Sequence, residues 1–509
     1  MKVVSAACFL LLFSSLSGAL SSAQAPDRQV EKSVGPTDTP AGGALTPLRL
    51  FESIPISTHS DEARRYVEQA IDKYEKGLLE DAIVCAQHAT EKDGNFALGY
   101  AVLSFASRRS TPDATALARA KALMPLATPD EQLLVRWMIS VQDGDLLPAI
   151  VNMNDLIKSY PKNEHVLYLT AEWLYFQQDY DRARQGMKNI LLMDPKFSPA
   201  LNILGRAYLQ TGYPDPAMAI AALERYVELQ PGQPSAEESL GEVLSQSGYD
   251  EGSVVHYSEA LQLEPTYITA RIKLADTLTL MGNYSSAREQ YDRAISTAGS
   301  TRDRLHAEYQ KALVSLWEGH LAEGRNLLEA LAEKARVQRE PYAQFEIGFA
   351  QALLAQNADA KLVQLKSLES ILQDPAAVAG MTEADRNASL GAVWREFARA
   401  YAVSGQADAA DQAVHKLEEL TTHTRDPIIE NIYESGQGYA LFAKGDMANA
   451  ADELAMDARN PLVLRQLILA QEKLGNTRGV EASRSRLKYL RASTVEWFLV
   501  AKSASGNAD

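Results

Sequence analysis

One pattern recurs along most of this chain at intervals close to 34 residues. In LGEVLSQSGYDEGSVVHYSEALQLEP (240–265), a small residue lies within one amphipathic run, a glycine follows, and a second run with alanines ends at a proline. The same order appears at 201–231 and 274–299, and Gly248 and Gly282 stand 34 positions apart. Self-similarity at about 20 to 50 residues is typical of repeat architectures. The recurrence therefore predicts a stack of similar units instead of several unrelated domains.

The apolar residues of each run follow helical spacing, so each unit is predicted to be a pair of α-helices. Two amphipathic helices cannot bury their apolar faces alone, and neighbouring pairs must stack into a continuous core. Glycine costs about 1 kcal/mol relative to alanine inside a helix, so Gly241 needs a packing reason. We expect this position to let the second helix of the pair approach closely. Twelve helical hairpins fit between residues 61 and 490.

The repeat resembles that of the tetratricopeptide repeat family, a helix-turn-helix unit of about 34 residues. The matching residues are Gly205, Gly241 and Ala275 at the small position of the first helix, and Gly212, Gly248 and Gly282 at the turn. Gln178 occupies the turn position in an earlier unit. The resemblance implies an all-α fold, a right-handed α-solenoid of about 10–12 stacked hairpins, with the first helices lining a concave groove.

The N-terminus has the composition of a secretory signal peptide. Lys2 precedes an apolar stretch ending near Leu20, and small residues lie ahead of a polar run. We expect cleavage after Ala23, because a later site after Ala25 would have Pro26 on its far side. A lipid anchor through Cys8 is a weaker alternative, since most of the apolar run follows that residue. The chain is thus predicted to be exported, periplasmic or secreted, with no transmembrane segment after cleavage.

The predicted organisation follows from these patterns and from prolines that interrupt periodicity near the N-terminus. It comprises a signal peptide (1–23), a flexible linker (24–60), N-terminal hairpins (61–129), a regular array (130–301), degenerate hairpins (302–372), an insertion loop (373–391), C-terminal hairpins (392–492), and a capping helix with a disordered tail (493–509).

Positions beside the small residues of the first helices are predicted to point into the groove. These candidate partner-binding residues are Tyr168, Glu172, Tyr175, Asn202, Arg206, Glu238, Glu242 and Asp276. They would make the groove polar, mostly acidic, and aromatic at one end. Such a groove suits a protein or peptide carrying lysine or arginine. The alternative is that each residue belongs to an ordinary solvated helix face.

Motifs for catalysis and for metal or cofactor binding are missing from the sequence. No HExxH, GxSxG or phosphate-binding glycine loop occurs, and the 8 histidines lie scattered among different repeats. We therefore predict no catalytic, metal-binding or cofactor-binding residues. The formal charge of −16 disfavours a nucleic-acid partner, because phosphates attract clustered Lys and Arg.

These features together favour a non-enzymatic protein-protein interaction scaffold of the cell envelope. The resemblance implies an exported bacterial protein built of such repeats, possessing a groove for a partner segment in a secretion or envelope assembly complex. Two alternatives remain open from sequence. One is an accessory or regulatory subunit of an envelope enzyme, and the other is a self-associating structural protein of undetermined oligomeric state.

Overall fold

The structure is a computed structural model that describes residues 54–108, 113–144, 146–210, 213–424 and 426–504. The predicted signal peptide, residues 24–53 of the predicted linker and the tail 505–509 lie outside the described residues. Within them, 25 α-helices follow one another without a β-strand. The predicted all-α fold is confirmed. Among the same residues, no helix combines the length and the apolar character needed to cross a membrane.

The chain divides into two compact units, with the boundary between Leu167 and Tyr168. The first described unit, residues 54–167, holds six helices and the start of a seventh. They are α1 (Asp61–Glu75), α2 (Leu79–Lys92), α3 (Ala97–Ser107), α4 (Ala114–Leu123), α5 (Pro129–Gln142), α6 (Leu146–Ser159) and α7 (Glu164–Phe176).

The second described unit, residues 168–504, begins within α7 and holds the remaining helices. They are α8 (Tyr180–Met193), α9 (Ser198–Gln210), α10 (Pro216–Leu229), α11 (Pro234–Gln246), α12 (Asp250–Leu263), α13 (Ile268–Leu280), α14 (Tyr284–Thr297), α15 (Thr301–Trp317), α16 (Leu321–Val337), α17 (Pro341–Leu353), α18 (Ala358–Gln373), α19 (Glu383–Val403), α20 (Ala407–Thr424), α21 (Pro427–Ala443), α22 (Met447–Met456), α23 (Pro461–Lys473), α24 (Thr477–Leu487) and α25 (Val495–Ala504).

Consecutive helices pair as antiparallel hairpins, so α1 to α24 form the expected series of twelve within the described ranges. In the second unit the first helix of a hairpin also contacts the first helix of the next: α9 with α11, α11 with α13, α13 with α15, and α15 with α17. We call the surface carried by α9, α11, α13, α15 and α17 the first-helix face. It corresponds to the groove side that the repeat resemblance implies.

The hairpin turns use the backbone conformation that the sequence predicts. Gly248 and Gly282 have φ of 83° and 80°, a left-handed conformation in which a side chain is disfavoured. Gln178 adopts φ of 66° at the equivalent turn, and its buried side-chain oxygen accepts a hydrogen bond from Arg459. The third predicted turn glycine, Gly212, lies outside the described residues.

Gly241 lies where its hairpin partner comes closest. A Cβ atom at this position would stand 2.9 Å from ring carbons of Tyr257 on α12, and Tyr257 is almost fully buried. At Gly205 an added Cβ would be 2.5 Å from Leu223. Both glycines are therefore structural, as predicted from the repeat, and tight packing of the helix pair offsets their poor helix propensity.

The linker prediction is wrong for its last residues, which pack onto the first unit. Ile54 is fully buried, and the Ser57 amide donates to Glu131 Oε2 at 2.6 Å. Thr128, the N-cap of α5, donates through its hydroxyl to the Pro55 carbonyl at 2.5 Å. Because α5 begins with partly unsatisfied polar groups, it offers partners to the extended chain. The sequence pattern described the prolines correctly but missed this docking.

The predicted insertion loop 373–391 is also corrected. Only the stretch between Gln373 and Glu383 lies outside helices, because residues from Glu383 onward form the first turns of the 21-residue helix α19. The Thr382 hydroxyl accepts from the Asp385 amide at 3.1 Å and caps this helix. The surplus length therefore extends a helix, and the capped start explains where that helix begins.

The predicted capping helix exists as α25, but its packing differs from that of an end cap. It lies against α23 and also contacts α15 and α17 of the first-helix face. Phe498 packs edge-on against Trp317, with 5.3 Å between ring centroids. Val495 and Phe498 are buried in the same apolar core as Leu313 and Phe349. The C-terminal segment therefore covers part of the first-helix face of its own chain.

Candidate functional site

The centre of the predicted groove contains an ion-pair network formed by Arg206, Glu238, Glu242 and Lys273. Arg206 donates to Glu242, and its Nη2 lies 3.2 Å from Glu238 Oε2. Lys273 Nζ lies 2.6 Å from an oxygen of each glutamate. Arg206 Nε also donates to the side-chain oxygen of Asn202 at 3.1 Å. Two cations therefore neutralise two carboxylates across α9, α11 and α13.

Burial and ion pairing act in opposite directions on this network. Burial lowers the pKa of Arg206, but the Glu242 and Glu238 carboxylates outweigh it and hold that pKa above its ordinary value. Burial raises the pKa of Glu242, yet Arg206 and Lys273 together lower it below its ordinary value. Both groups remain charged at neutral pH, so the network is a stable internal contact.

The aromatic end of the predicted groove is also part of the packed interior. Tyr175 makes edge-to-face contacts with Phe176 and Tyr180, at centroid distances of 5.3 and 5.1 Å. Tyr168 and Glu172 are buried as well, each less than a tenth exposed. These three residues are therefore not an open surface within the second unit.

Asp276 behaves differently from the other predicted acids. The Tyr291 hydroxyl donates to its Oδ1 at 2.5 Å, and burial raises the pKa of Asp276 to about 6. A carboxyl group with this pKa and an internal donor is a weak attractor for a basic peptide. Asp276 stabilises its own hairpin by linking α13 to α14.

The expectation of a freely acidic groove is wrong at these positions. Sequence reasoning selected Glu238 and Glu242 but missed Lys273, which lies about one repeat further along on the next first helix. Residues one repeat apart on first helices become neighbours when hairpins stack. Opposite charges at that spacing were the signal that could have found the pairing.

The same register leads to an open cavity one repeat later. Glu238, Ile272 and His306 are separated by successive steps of 34 residues, and so are Glu242, Asp276 and Gln310. Ile272, His306 and Gln310 line a cavity of about 130 Å³. We call it the α15 cavity. Its further lining residues are Ile268, Thr269, Arg302, Asp303, Tyr309, Tyr342, Ala343, Phe345, Glu346, Phe349, Ala350, Leu353, Ser389, Thr494, Val495 and Glu496.

The walls of the α15 cavity combine aromatic rings with a fixed polar pair. Phe345 and Phe349 stack with their centroids 5.5 Å apart. His306 Nδ1 lies 3.0 Å from both carboxylate oxygens of Glu346. Burial lowers the pKa of His306, but Glu346 outweighs it and raises that pKa above its ordinary value. The pair therefore fixes the imidazole ring at the wall of the cavity.

Two polar atoms at the α15 cavity have no hydrogen-bond partner among the described residues. They are Oε1 of Gln310 and Nε2 of His306, both shielded from solvent. The Gln310 side chain is only 4% exposed. Leaving a buried acceptor unpaired costs about 1–3 kcal/mol, so a group that donates to it would recover that loss. The cavity thus has both apolar walls and an unsatisfied polar group, as ligand sites commonly do.

The C-terminal segment supplies one acidic residue to this cavity. Glu496, near the start of α25, is 8% exposed. Burial raises its pKa to about 7, and the nearby Glu396 and Glu346 act in the same direction. Sequence reasoning could not place Glu496 here, because the fold brings α25 to hairpins far away along the chain.

One further group of side chains has the composition of a metal site. Glu237, His256 and Glu259 bring one ligand atom each to within 4.8 Å of one another, as no other such trio does in the described part of the chain. His256 Nδ1 lies 2.8 Å from Glu237 and 3.4 Å from Glu259. The imidazole bridges both carboxylates on the helix surface, which accounts for the cluster as an ordinary polar contact.

Comparisons with known proteins begin with sequence. No family model matches the chain. It is similar to a protein of Schizosaccharomyces pombe described as a DnaJ homolog subfamily C member 7 homolog, with 23% identity over 288 residues, covering 53% of this chain and 56% of that protein. The chain thus spans little more than half the length of this curated relative.

Two solved structures are similar to parts of the chain. PilW, described as a widely conserved type IV pilus biogenesis factor, aligns with 20% identity over 38% of this chain and 88% of its own, at a TM-score of 0.34. A tetratricopeptide repeat protein from Parabacteroides merdae aligns with 15% identity over 53% of this chain and 93% of its own, also at 0.34.

Membership of a family is decided by the repeat itself. The sequence supplies a register of 34 residues, and the structure places left-handed turns at Gly248 and Gly282 and a close helix approach at Gly241 on that register. With hairpins stacked through their first helices on this register, the chain belongs to the tetratricopeptide repeat family.

Proposed function

We propose that the chain is a non-enzymatic interaction scaffold that binds a segment of a partner protein on the first-helix face, centred on the α15 cavity. The observation that carries this proposal is the unpaired, buried Gln310 acceptor within aromatic walls. Apolar walls supply affinity by removing surface from water, and a donor to Gln310 supplies orientation.

The neighbouring positions of the face explain why we centre the contact on this cavity. On α9, α11 and α13, the Arg206–Lys273 network satisfies its own charges and has nothing to gain from a ligand. On α15 and α17, Gln310 and the Phe345–Phe349 pair remain available. A bound segment would run along adjacent first helices, which differs from the enclosed binding of a small metabolite.

The cellular setting is a second part of this proposal. The pattern at residues 1–23 supports export, which would place the scaffold in the periplasm or outside the cell. A partner would then belong to the cell envelope or to a secretion or assembly complex. Light scattering of the purified chain tests the alternative of self-association through its measured mass over a range of concentrations.

Site-specific photo-crosslinking in the native host tests the binding surface. A photoreactive residue replaces Phe345, which lines the cavity, or Val363, which is exposed on α18 and serves as the control. We expect a defined adduct from position 345 and none from position 363. Equal adducts at both positions, or no adduct at position 345, would contradict the proposal.

The protein identified from that adduct is then purified for affinity measurements. Gln310→Met keeps side-chain length and removes the acceptor, and should weaken binding about tenfold or more. Gln364→Met is the matched control, because Oε1 of Gln364 is also buried without a partner among the described residues but lies outside the α15 cavity. Unchanged affinity for Gln310→Met would contradict the assigned surface.

A further inference from the structure

Glu496 and Gln310 make the α15 cavity electron-rich in a specific way. Both side chains line the cavity, both are more than nine-tenths buried, and Gln310 Oε1 has no hydrogen-bond partner in the described part of the chain. Glu496 forms no ion pair within that part. Buried carboxylates ordinarily have a counter-ion or a set of donors. The cavity therefore lacks a cationic donor that its own residues do not supply.

The charged residues closest to Glu496 are already engaged elsewhere. Arg395 Nη1 donates to Asp457 at 2.6 Å. Glu396 pairs with Lys361 at 2.9 Å and with Arg399. On the other side of the cavity, Glu346 holds His306, while the Arg302 guanidinium lies 3.5 Å from the centroid of the Tyr342 ring. These pairings leave Glu496 as the uncompensated charge of the cavity.

We propose that the α15 cavity binds a cationic side chain, a lysine ammonium or an arginine guanidinium, presented by the partner segment. This inference rests on the proposed function and names the chemistry that the bound segment must carry. Either cation donates several hydrogen bonds, enough to reach both Glu496 and Gln310. The aliphatic stem of the same side chain would lie along the Phe345 and Phe349 rings, and its charge would be attracted to their faces.

The binding of a cation changes the protonation of Glu496. In the unliganded protein burial raises the pKa of Glu496 to about 7, so the group is partly protonated at neutral pH. A bound cation favours the carboxylate, lowers this pKa and releases a proton. Affinity should therefore rise with pH until Glu496 is fully ionised, above pH 7.

The ionisable groups on the helices packed around Glu496 set the background for that dependence. They are Arg395, Glu396 and Arg399 on α19, Glu346 on α17, His306 and Tyr309 on α15, and the exposed Arg465 on α23. Among these, His306 also titrates near neutrality, and its loss of positive charge with rising pH acts in the same direction on a bound cation.

The test uses the purified full chain and defined probes. N-acetyl-lysine methylamide and N-acetyl-arginine methylamide carry the two candidate cations, and the lysine probe acetylated on its side chain is the neutral control. Titration calorimetry and chemical-shift changes at pH 6 and pH 8 measure binding. We expect saturable binding of at least one cationic probe, stronger at pH 8, and no binding of the neutral probe.

Glu496→Gln should weaken the cationic probe at least tenfold and remove most of its pH dependence. Glu434→Gln is the matched control, because the pKa of Glu434 is also raised to about 7, mainly by burial, but Glu434 lies outside the α15 cavity. Gln310→Met provides a second cavity variant if Glu496→Gln fails to fold. Failure of both cationic probes to bind, equal binding of the neutral probe, or unchanged affinity in both cavity variants would overturn the inference.

The partner found by crosslinking separates this inference from the proposed function. If that partner binds through position 345 but keeps its affinity after its lysines and arginines in the crosslinked segment are changed to methionine, the cation inference fails and the scaffold proposal stands. If no partner crosslinks from position 345, the scaffold proposal fails while the probe titrations still decide the chemistry of the cavity.

Discussion

Arg491 donates from Nη1 and Nη2 to the two carboxylate oxygens of Asp250, at 2.5 and 2.8 Å. Asp250 is the first residue of α12, where the helix dipole also favours a negative charge. Arg491 lies only a few residues before α25. This paired contact ties the chain ahead of α25 to the sixth hairpin, and so determines where Thr494, Val495 and Glu496 meet the α15 cavity.

Arg491→Ala should loosen the C-terminal segment. The lost pair is partly buried and doubly hydrogen-bonded, so we expect a cost of about 1–3 kcal/mol. Hydrogen exchange should accelerate across residues 493–504. Arg484→Ala is the control, since Arg484 pairs with Glu472 on the exposed surface and should cost less than about 1 kcal/mol. Equal effects of the two changes would show that the Arg491 contact does not hold α25.

Lys273→Met should destabilise the second unit by about 3 kcal/mol, because two buried carboxylates would share Arg206 alone. The double change Lys273→Met with Glu238→Gln should restore part of that loss, since it removes one unpaired charge. Thermal unfolding and hydrogen exchange in α11 and α13 measure both effects. If the double variant is as unstable as the sum of its single changes, the residues do not form one network.

Gly241→Ala should lower stability by about 1–3 kcal/mol, because the new Cβ atom would collide with the buried Tyr257 ring. Gly252→Ala in the same hairpin is the matched control. Its Cβ would meet only Leu244, at an ordinary 3.5 Å, so the better helix propensity of alanine should stabilise by up to about 1 kcal/mol. Melting temperatures of the two variants should therefore move in opposite directions.

Glu496→Gln should change how stability depends on pH. The pKa of Glu496 rises from 4.5 to about 7 on folding, mainly through burial, so the folded chain holds this proton more tightly. For such an acid, stability is greatest below pH 4.5, falls as pH rises from 4.5 to 7, and is constant above that range. The full effect is about 3 kcal/mol. Melting temperatures at pH 5 and pH 8 should differ less in the variant than in the wild type.

The part of the fold that sequence predicts best is the part set by local pattern. Gly248 and Gln178 were placed at turns from their offsets, and both adopt left-handed backbone conformations. Gly241 was assigned to helix packing, and Tyr257 occupies the space its side chain would need. These positions depend on neighbours within one hairpin or on its nearest copy, which a repeated pattern records directly.

The candidate site was predicted less well, because its residues act through contacts between hairpins. Glu238 and Glu242 were correctly placed on the first-helix face, but Lys273 on the next hairpin pairs with both. His306 and Gln310 followed from the same register and were missed only because the pattern was not extended by one step.

The sequence by itself determined the repeat, the all-α hairpins and the positions that face one another along the stack, since local spacing fixes all three. Only the tertiary structure decided which of those positions are closed by internal ion pairs and which remain open. The reason is that charge compensation depends on distances between separate hairpins. It also decided that α25 returns to the first-helix face, because Arg491 finds Asp250 and Phe498 finds Trp317 only after the array has stacked.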